Sequence, residues 1–550
     1  MNSITFFIAI LMFSVSLLSC SEKGRSAKKG PLPESVVSGQ ILNVALDAAA
    51  DTLDQQRAVF ATSFELIGNM MDGLMQMADD GSVKKAICKD ETVSPDGLKY
   101  TFKLRPDVYW SNGEPVTAHD FVYGWQRAVD PALESEYAFM ISDIAQVKNA
   151  TAIQAGQMDT NQLGVRAIDD YTFEVELQVP VSYFDQLLYF CTFYPANQKF
   201  IEKCGDAYGT SPETCLANGA FILTEYAPNS KTISFKKNTA YYDAGTVKLG
   251  GLHYELLSDS EEGLKKYQRG ELDFIEISGN TAAKMKSSPD FKSIDSGFLY
   301  YVTYNFKNEA FCNKNLRKAF TFAIDRELIA EEIADGSVAA YSAVPRGFAY
   351  NSSGQDFTPQ GVEFPELCNY DPDKARAYFA RAKQELGKSR FEFEMVLANI
   401  EAQVIAAKSI KRQIETLFPE VSIRLNPVPK AERRKIMRSG NYDFGLHNWG
   451  PDYADPMTYL AMWVTGNANN QGNYFNPNYN AMIASCTDGE LCTKPNERWK
   501  AMKDAERIII DDVVIMPVYQ KCNADLIKPN VKNIAFHAVA INRIYKNTSK

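Results

Sequence analysis

Two hydrophobic spacings alternate along this chain, one apolar residue in two and one in three or four, and a polypeptide carrying both must pack strands and helices together. Residues 98–104 alternate Leu, Tyr, Phe and Leu with Lys, Thr and Lys, and residues 171–177 alternate Tyr, Phe, Val and Leu with Thr and Glu. Both read as half-buried strands, and residues 421–425 repeat the pattern. Helical signals lie between them. Thr117 and Asp120 make a T-x-x-D start, and Phe121, Val122 and Trp125 then form an apolar face, so a helix is predicted over 117–128. A second is predicted over 313–333, with Leu316, Phe320, Ala323 and Ile324 on one face. Asp371-Pro372 starts a third, the Asp as cap and the Pro in the first turn. With no short repeat, the fold class is α/β.

The 550 residues suffice for roughly three or four domain-sized units. With 58 basic against 68 acidic residues the net charge is −10, which argues against a surface built to neutralise phosphates; nucleic acid is not an expected partner. Residues 4–18 are an unbroken run of apolar or small residues ending in Leu17-Leu18-Ser19-Cys20. The run is short for a bilayer, which needs roughly 20 residues, and reads as a signal peptide over 1–19. Its end resembles a bacterial lipobox, which implies lipid on Cys20, although Met1-Asn2-Ser3 carries no Lys or Arg. An ordinary secretory signal with a chance Cys is the second reading. Residues 20–40, rich in Ser, Gly, Lys and Pro, read as the lipidated Cys and a flexible tether. The later apolar run 508–516 is interrupted by Asp511 and Asp512 and is not expected to span a membrane.

Of the 10 cysteines, those after Cys20 are odd in number, so at least one is unpaired within the chain. Export permits disulfides, and Cys204/Cys215 and Cys486/Cys492 are the first candidate pairs, with connectivity left open. His119, His253, His447 and His537 lie too far apart for a zinc motif. Enzyme signatures are weak. Residues 382–389 end like a phosphate loop but have Ala382 where the first Gly belongs, and the S-x-x-K matches at 26–29 and 234–237 lack their companion motifs. No catalytic residue, metal or cofactor is assigned.

The most informative stretch runs from Trp449 to Pro456. Residues 441–449 read as a strand ended by Gly450-Pro451, which puts Asp452 on a loop at a strand's edge among aromatic residues. A carboxylate so placed can receive an amino group; a capping or turn Asp is the plainer reading.

The stretch Trp449-Gly450-Pro451-Asp452-Tyr453-Ala454-Asp455-Pro456 resembles the W-x-x-D-Y-x-[ED]-P motif of the peptide-binding branch of extracytoplasmic solute-binding proteins, family 5, the receptors of ABC importers. Residues 100–125, with Trp110-Ser111-Asn112-Gly113 and Pro115-Val116-Thr117-Ala118, resemble that family's signature, as do 218–221, 267–274, 316–325 and 370–375. The resemblance implies a two-lobed, type II-like periplasmic-binding-protein fold with an additional third domain and a hinged cleft. Carried onto this numbering, lobe I takes 41–62, 209–306 and 521–550, the additional domain 63–208 and lobe II 307–520. It further implies that Asp452 receives a peptide's α-ammonium, that Trp449 and Tyr453 wall the first subsite, and that the backbone of His447 and Asn448 pairs with the peptide. Ala48, in the strand candidate 46–49, would pair from lobe I, and Tyr137 is a further wall residue.

The implied protein is a monomer held by lipid at the periplasmic or extracytoplasmic face, delivering peptides to ABC permease subunits. One branch of the family carries a basic residue three positions before the Trp, where it meets the peptide's C-terminus; here that position is Leu446. Two other readings stay open: the same fold binding a dipeptide, haem, nickel or a sugar, and a surface adhesin or envelope protein that kept the fold.

Overall fold

The computed structural model describes residues 39–550 apart from 80, 81, 258, 352, 360 and 361. Cys20, the expected signal peptide and nearly all of the expected tether lie outside the described residues. The strands are β1 Ile41–Leu46, β2 Met75–Met77, β3 Val83–Lys85, β4 Cys88–Val93, β5 Lys99–Leu104, β6 Val165–Asp169, β7 Thr172–Glu176, β8 Phe221–Glu225, β9 Thr232–Lys237 and β10 Gly251–Leu256. They continue with β11 Phe274–Ile277, β12 Phe291–Tyr304, β13 Val338–Ala339, β14 Phe391–Ala398, β15 Val421–Val428, β16 Phe444–Trp449, β17 Ile515–Ile527, β18 Ala535–Phe536 and β19 Arg543–Ile544.

Local chemistry explains most element boundaries. The helix Ala118–Val129 opens on the reciprocal capping box of Thr117 and Asp120, and the helix Pro372–Leu386 on Asp371, whose carboxylate accepts from Lys374 N at 3.0 Å. The helix expected over 313–333 is instead two, Lys314–Phe322 and Arg326–Ile333. Asp325 accepts from Leu328 N at 3.2 Å and so starts a new helix, a local alternative that outcompetes continuing the old one. The strand expected from 441 begins at Phe444, because the Tyr442 carbonyl is taken by Asn305 Nδ2 at 2.7 Å.

The main sheet is 11-stranded in the order β15-β14-β16-β12-β17-β11-β1-β10-β9-β8, with β13 on β17. Its two ends are built differently from its middle. β14 runs parallel to both β15 and β16, and β1 parallel to β10 and β11, whereas the long strands β12 and β17 cross the centre antiparallel. The Phe291 end of β12 pairs with the part of β17 that also holds β11, while Leu299–Tyr304 pair with β16. Between the two ends the ladder slips from Asp295 to Leu299, and Gly297 sits there at φ +70°. An irregularity of this kind bends a strand and raises its twist, so the two ends of the sheet need not be coplanar.

A separate four-stranded sheet, β4-β5-β7-β6, packs under the helix Ala118–Val129. Trp125 meets Phe173 edge-on at 5.2 Å, and its indole N–H donates to the Phe193 carbonyl at 2.8 Å, which satisfies the polar end of a buried ring.

The cysteines from Cys88 to Cys522 are free thiols, so the pairings Cys204/Cys215 and Cys486/Cys492 are not formed. Proximity in sequence does not orient two sulfurs as a disulfide demands. Cys492 Sγ points instead at the Cys486 carbonyl, 3.6 Å away. Among the described residues no helix is long and apolar enough to cross a membrane.

Candidate functional site

A cavity of about 620 Å³ opens where distant parts of the chain converge. One side is made by Val59, Ala61, Phe64, Ala538, Ala540 and Asn542 together with Tyr137 and Phe190; the other by Lys430, Arg433, Arg434, Arg438, residues 447–452, Asn469 and Gln471. Phe298, in the slipped stretch of β12, lines it too. Its volume falls within the usual range for ligand clefts of about 300–1,000 Å³. Phe64, Tyr137 and Phe190 form an aromatic cluster on the first side, with ring centroids 4.9 to 5.3 Å apart. Trp449 stands on the other side.

β16 enters this cavity with one edge free. Its residues 444–446 pair with β14 and all of it pairs with β12, but the β14 ladder ends at Leu397/Leu446, so His447, Asn448 and Trp449 are held on the β12 side alone. An open edge offers backbone donors and acceptors to an added strand. Part of that edge is occupied locally: His447 Nδ1 lies 2.7 Å from Asn448 N and 2.8 Å from Asn448 O. Burial, and then the neighbouring Arg433, push the His447 imidazole down to about 3, so the ring is neutral.

The strand ends as Gly450 and Pro451 turn the chain; a side chain at 450 would collide with the Phe298 ring. Asp452 follows, its N–H donating to Thr458 Oγ1 at 3.1 Å, and it lines the cavity partly buried. Among the described residues its carboxylate has no hydrogen bond or ion pair. Burial alone pushes this carboxyl up to about 6. Among the described residues, three more polar atoms of the lining are buried without a partner: Trp449 Nε1, Arg433 Nε and Gln471 Oε1. Unmet buried groups each cost about 1–3 kcal/mol, which a ligand bearing both donors and acceptors would recover.

Of the residues singled out by sequence, His447, Asn448, Trp449, Asp452 and Tyr137 come together here. Tyr453 and Ala48 do not. The turn that sends Asp452 to the cavity sends Tyr453 the other way, into the core, where it stacks on Tyr183 at 5.0 Å. β1 stops at Leu46, so residues 47–49 of the expected strand are not strand, and Ala48 lies in a bend on a pocket shared with Tyr226 and Ala227. Sequence reading missed the helix Lys430–Ser439, which places Lys430, Arg433, Arg434 and Arg438 on the cavity. Its signal was present: cations at i, i+3, i+4 and i+8 share one helical face. Among the described residues no three His, Cys, Asp or Glu side chains are grouped to hold a metal ion.

The chain is similar to known proteins over most of its length. The family description "bacterial extracellular solute-binding proteins, family 5 Middle" matches residues 82–471. The dipeptide-binding protein of Lactococcus lactis subsp. cremoris is 30% identical over 494 residues, which is 87% of this chain and 88% of that one. Among solved structures, OppA of Listeria monocytogenes bound to peptide is 31% identical with a TM-score of 0.68, covering 93% of this chain and 99% of that one. The substrate-binding domain of an oligopeptide ABC transporter from Bacillus anthracis is 32% identical with a TM-score of 0.69, covering 94% and 99%.

Proposed function

From a chain that belongs to the family 5 bacterial extracellular solute-binding proteins, which share the multidomain type II periplasmic-binding fold, we infer a receptor that captures peptides and hands them to an ABC permease. The observation that carries this reading is the pairing, in one cavity, of an unpartnered carboxylate at Asp452 with an unpaired strand edge at 447–449. A peptide presents the complement of both: an α-ammonium and an extended backbone. Asp452 receives the ammonium, because an ionised carboxylate in a partly dry site gains most from an opposite charge. The backbone adds along the β16 edge at His447 and Asn448, which makes affinity largely independent of side chains. Trp449 faces the first residue, and Tyr137 belongs to the opposite wall.

The lobe division expected from sequence suits the same reading. Residues 41–62, 209–306 and 521–550 form lobe I, 307–520 lobe II and 63–208 the additional domain, with the slipped stretch of β12 and β17 as the hinge that lets the lobes close over ligand. The receptor acts as a monomer, held at the outer face of a membrane by lipid on Cys20. Cys20→Ser should move the protein from the detergent phase to the aqueous phase of a phase split, and equal partitioning of variant and wild type removes the anchor.

Thermal melts with added ligand test the core of the reading, since whatever binds the native state alone raises its melting temperature. Peptides of two to six residues with varied side chains should all raise it. A rise with only one species, such as haem or nickel, overturns the peptide assignment. The peptides that co-purify, read by mass spectrometry, give an independent check.

A further inference from the structure

We propose that the cleft selects acidic peptides, through Lys430, Arg433, Arg434 and Arg438 on the helix Lys430–Ser439; the proposal rests on the peptide reading above. Among the described residues, the lining of the cavity carries these four cations and a single carboxylate, Asp452. None of the four has a carboxylate partner among the described residues. Their surroundings hold them as an unbalanced cluster. Arg433 is 1% exposed, donates to Gln403 Oε1 at 3.4 Å and to the Leu446 carbonyl at 3.3 Å, and leaves its Nε without a partner.

Burial, and then the nearby Arg434, hold both Lys430 and Arg433 below their ordinary range. On the adjoining cavity, Glu65 and Glu276 are taken by Arg543 and Asp295 by Arg346, while the remaining carboxylate there, Asp47, is exposed to solvent. A ligand therefore meets two electrostatic demands. One ammonium is wanted at Asp452, and several carboxylates are wanted along the basic helix. The terminal carboxylate of any peptide supplies one of these; acidic side chains supply the rest.

Titration calorimetry on the whole mature protein, at physiological salt, with tetra-alanine, Ala-Glu-Glu-Ala and Ala-Lys-Lys-Ala decides the matter. The acidic peptide should bind at least about tenfold more tightly than tetra-alanine, and the basic one more weakly. That ratio should fall towards one in the Arg434→Gln, Arg438→Gln double variant, whose two side chains are exposed and make no hydrogen bond or ion pair among the described residues. It should persist in Lys435→Gln, a change on the same helix away from the cavity. Equal binding of acidic and neutral peptides, or a ratio unmoved by the double variant, overturns the proposal while leaving the peptide reading standing. Failure of all three peptides to bind overturns that reading and this one with it.

Discussion

Asp452 and Asp455 stand three residues apart in one loop, yet one faces the cleft and the other the interior, and burial has been settled differently for each. Asp455 is 6% exposed in its side chain and meets Arg498, 4% exposed, through two bonds of 2.7 and 2.9 Å. Arg498 also donates Nε to the Cys486 carbonyl at 2.8 Å and lies over the Tyr183 ring, on which Tyr453 stacks. Each charge in that cluster has its complement. Asp452 is partly buried with no complement in the described residues, and burial raises its carboxyl accordingly. The fold thus pairs one carboxylate of the loop internally and leaves the other without an internal cation among the described residues.

The contrast can be broken in four ways. The largest effect should follow Asp455→Asn, which strands Arg498 in the interior and should cost about 3–5 kcal/mol of stability, read by chemical denaturation. Stability within about 1 kcal/mol of wild type would mean that the pair carries no such role.

Next comes Asp452→Asn, expected to weaken peptide binding at least about tenfold, since charge-assisted contacts are worth about 1.5–3 kcal/mol. N-acetylated peptides should bind the wild type as poorly as free peptides bind the variant. If acetylated and free peptides bind alike, Asp452 is a turn residue and the end of the ligand has been misassigned.

The pH profile follows from the same carboxyl. Peptide ammonium needs the ionised form, which in the empty protein prevails only above about 6. Affinity should be flat above neutrality and fall about tenfold between pH 7.5 and 5, a dependence that Asp452→Asn abolishes. A flat profile down to pH 5 removes the ammonium contact.

The smallest effect concerns the empty protein. The folded-state value of Asp452 lies above its ordinary one, so the native state holds the proton more tightly and loses stability as pH rises through the interval between the two. The penalty is complete above about 6 and absent near 3. Asp452→Asn should thus raise the melting temperature by roughly 1–2 °C at pH 7.5 and leave it unchanged at pH 3. A fall at pH 7.5 would show that the carboxylate has an internal partner after all.

Much of this was legible in the chain. Thr117 with Asp120, and Asp371 with Pro372, announce their helices because a cap acts on backbone groups two or three residues away. Alternation marks β5, β7 and β15 for the same local reason, as successive side chains of a strand point to opposite faces. The Gly-Pro break after Trp449 put Asp452 on a loop, and the loop is there. Asp325 was equally visible but was read as part of a continuing helix, although its capping capacity was the stronger local signal.

What the sequence determined by itself is thus the kind and place of the elements with strong local signals, such as β5, β7, β15 and the helices opened by Thr117 and Asp371, and the position of one carboxylate after a strand, since all of these rest on interactions within a few residues. Only the tertiary structure decided which carboxylate of the loop is neutralised, because Arg498 comes from a helix 43 residues beyond Asp455. It alone turned Tyr453 inward, ended β1 before Ala48 could join a ladder, left the edge of β16 free past Leu446, and brought four cations of one helix to the cavity. Those outcomes depend on which surfaces meet across tens to hundreds of residues, and no local pattern encodes the meeting.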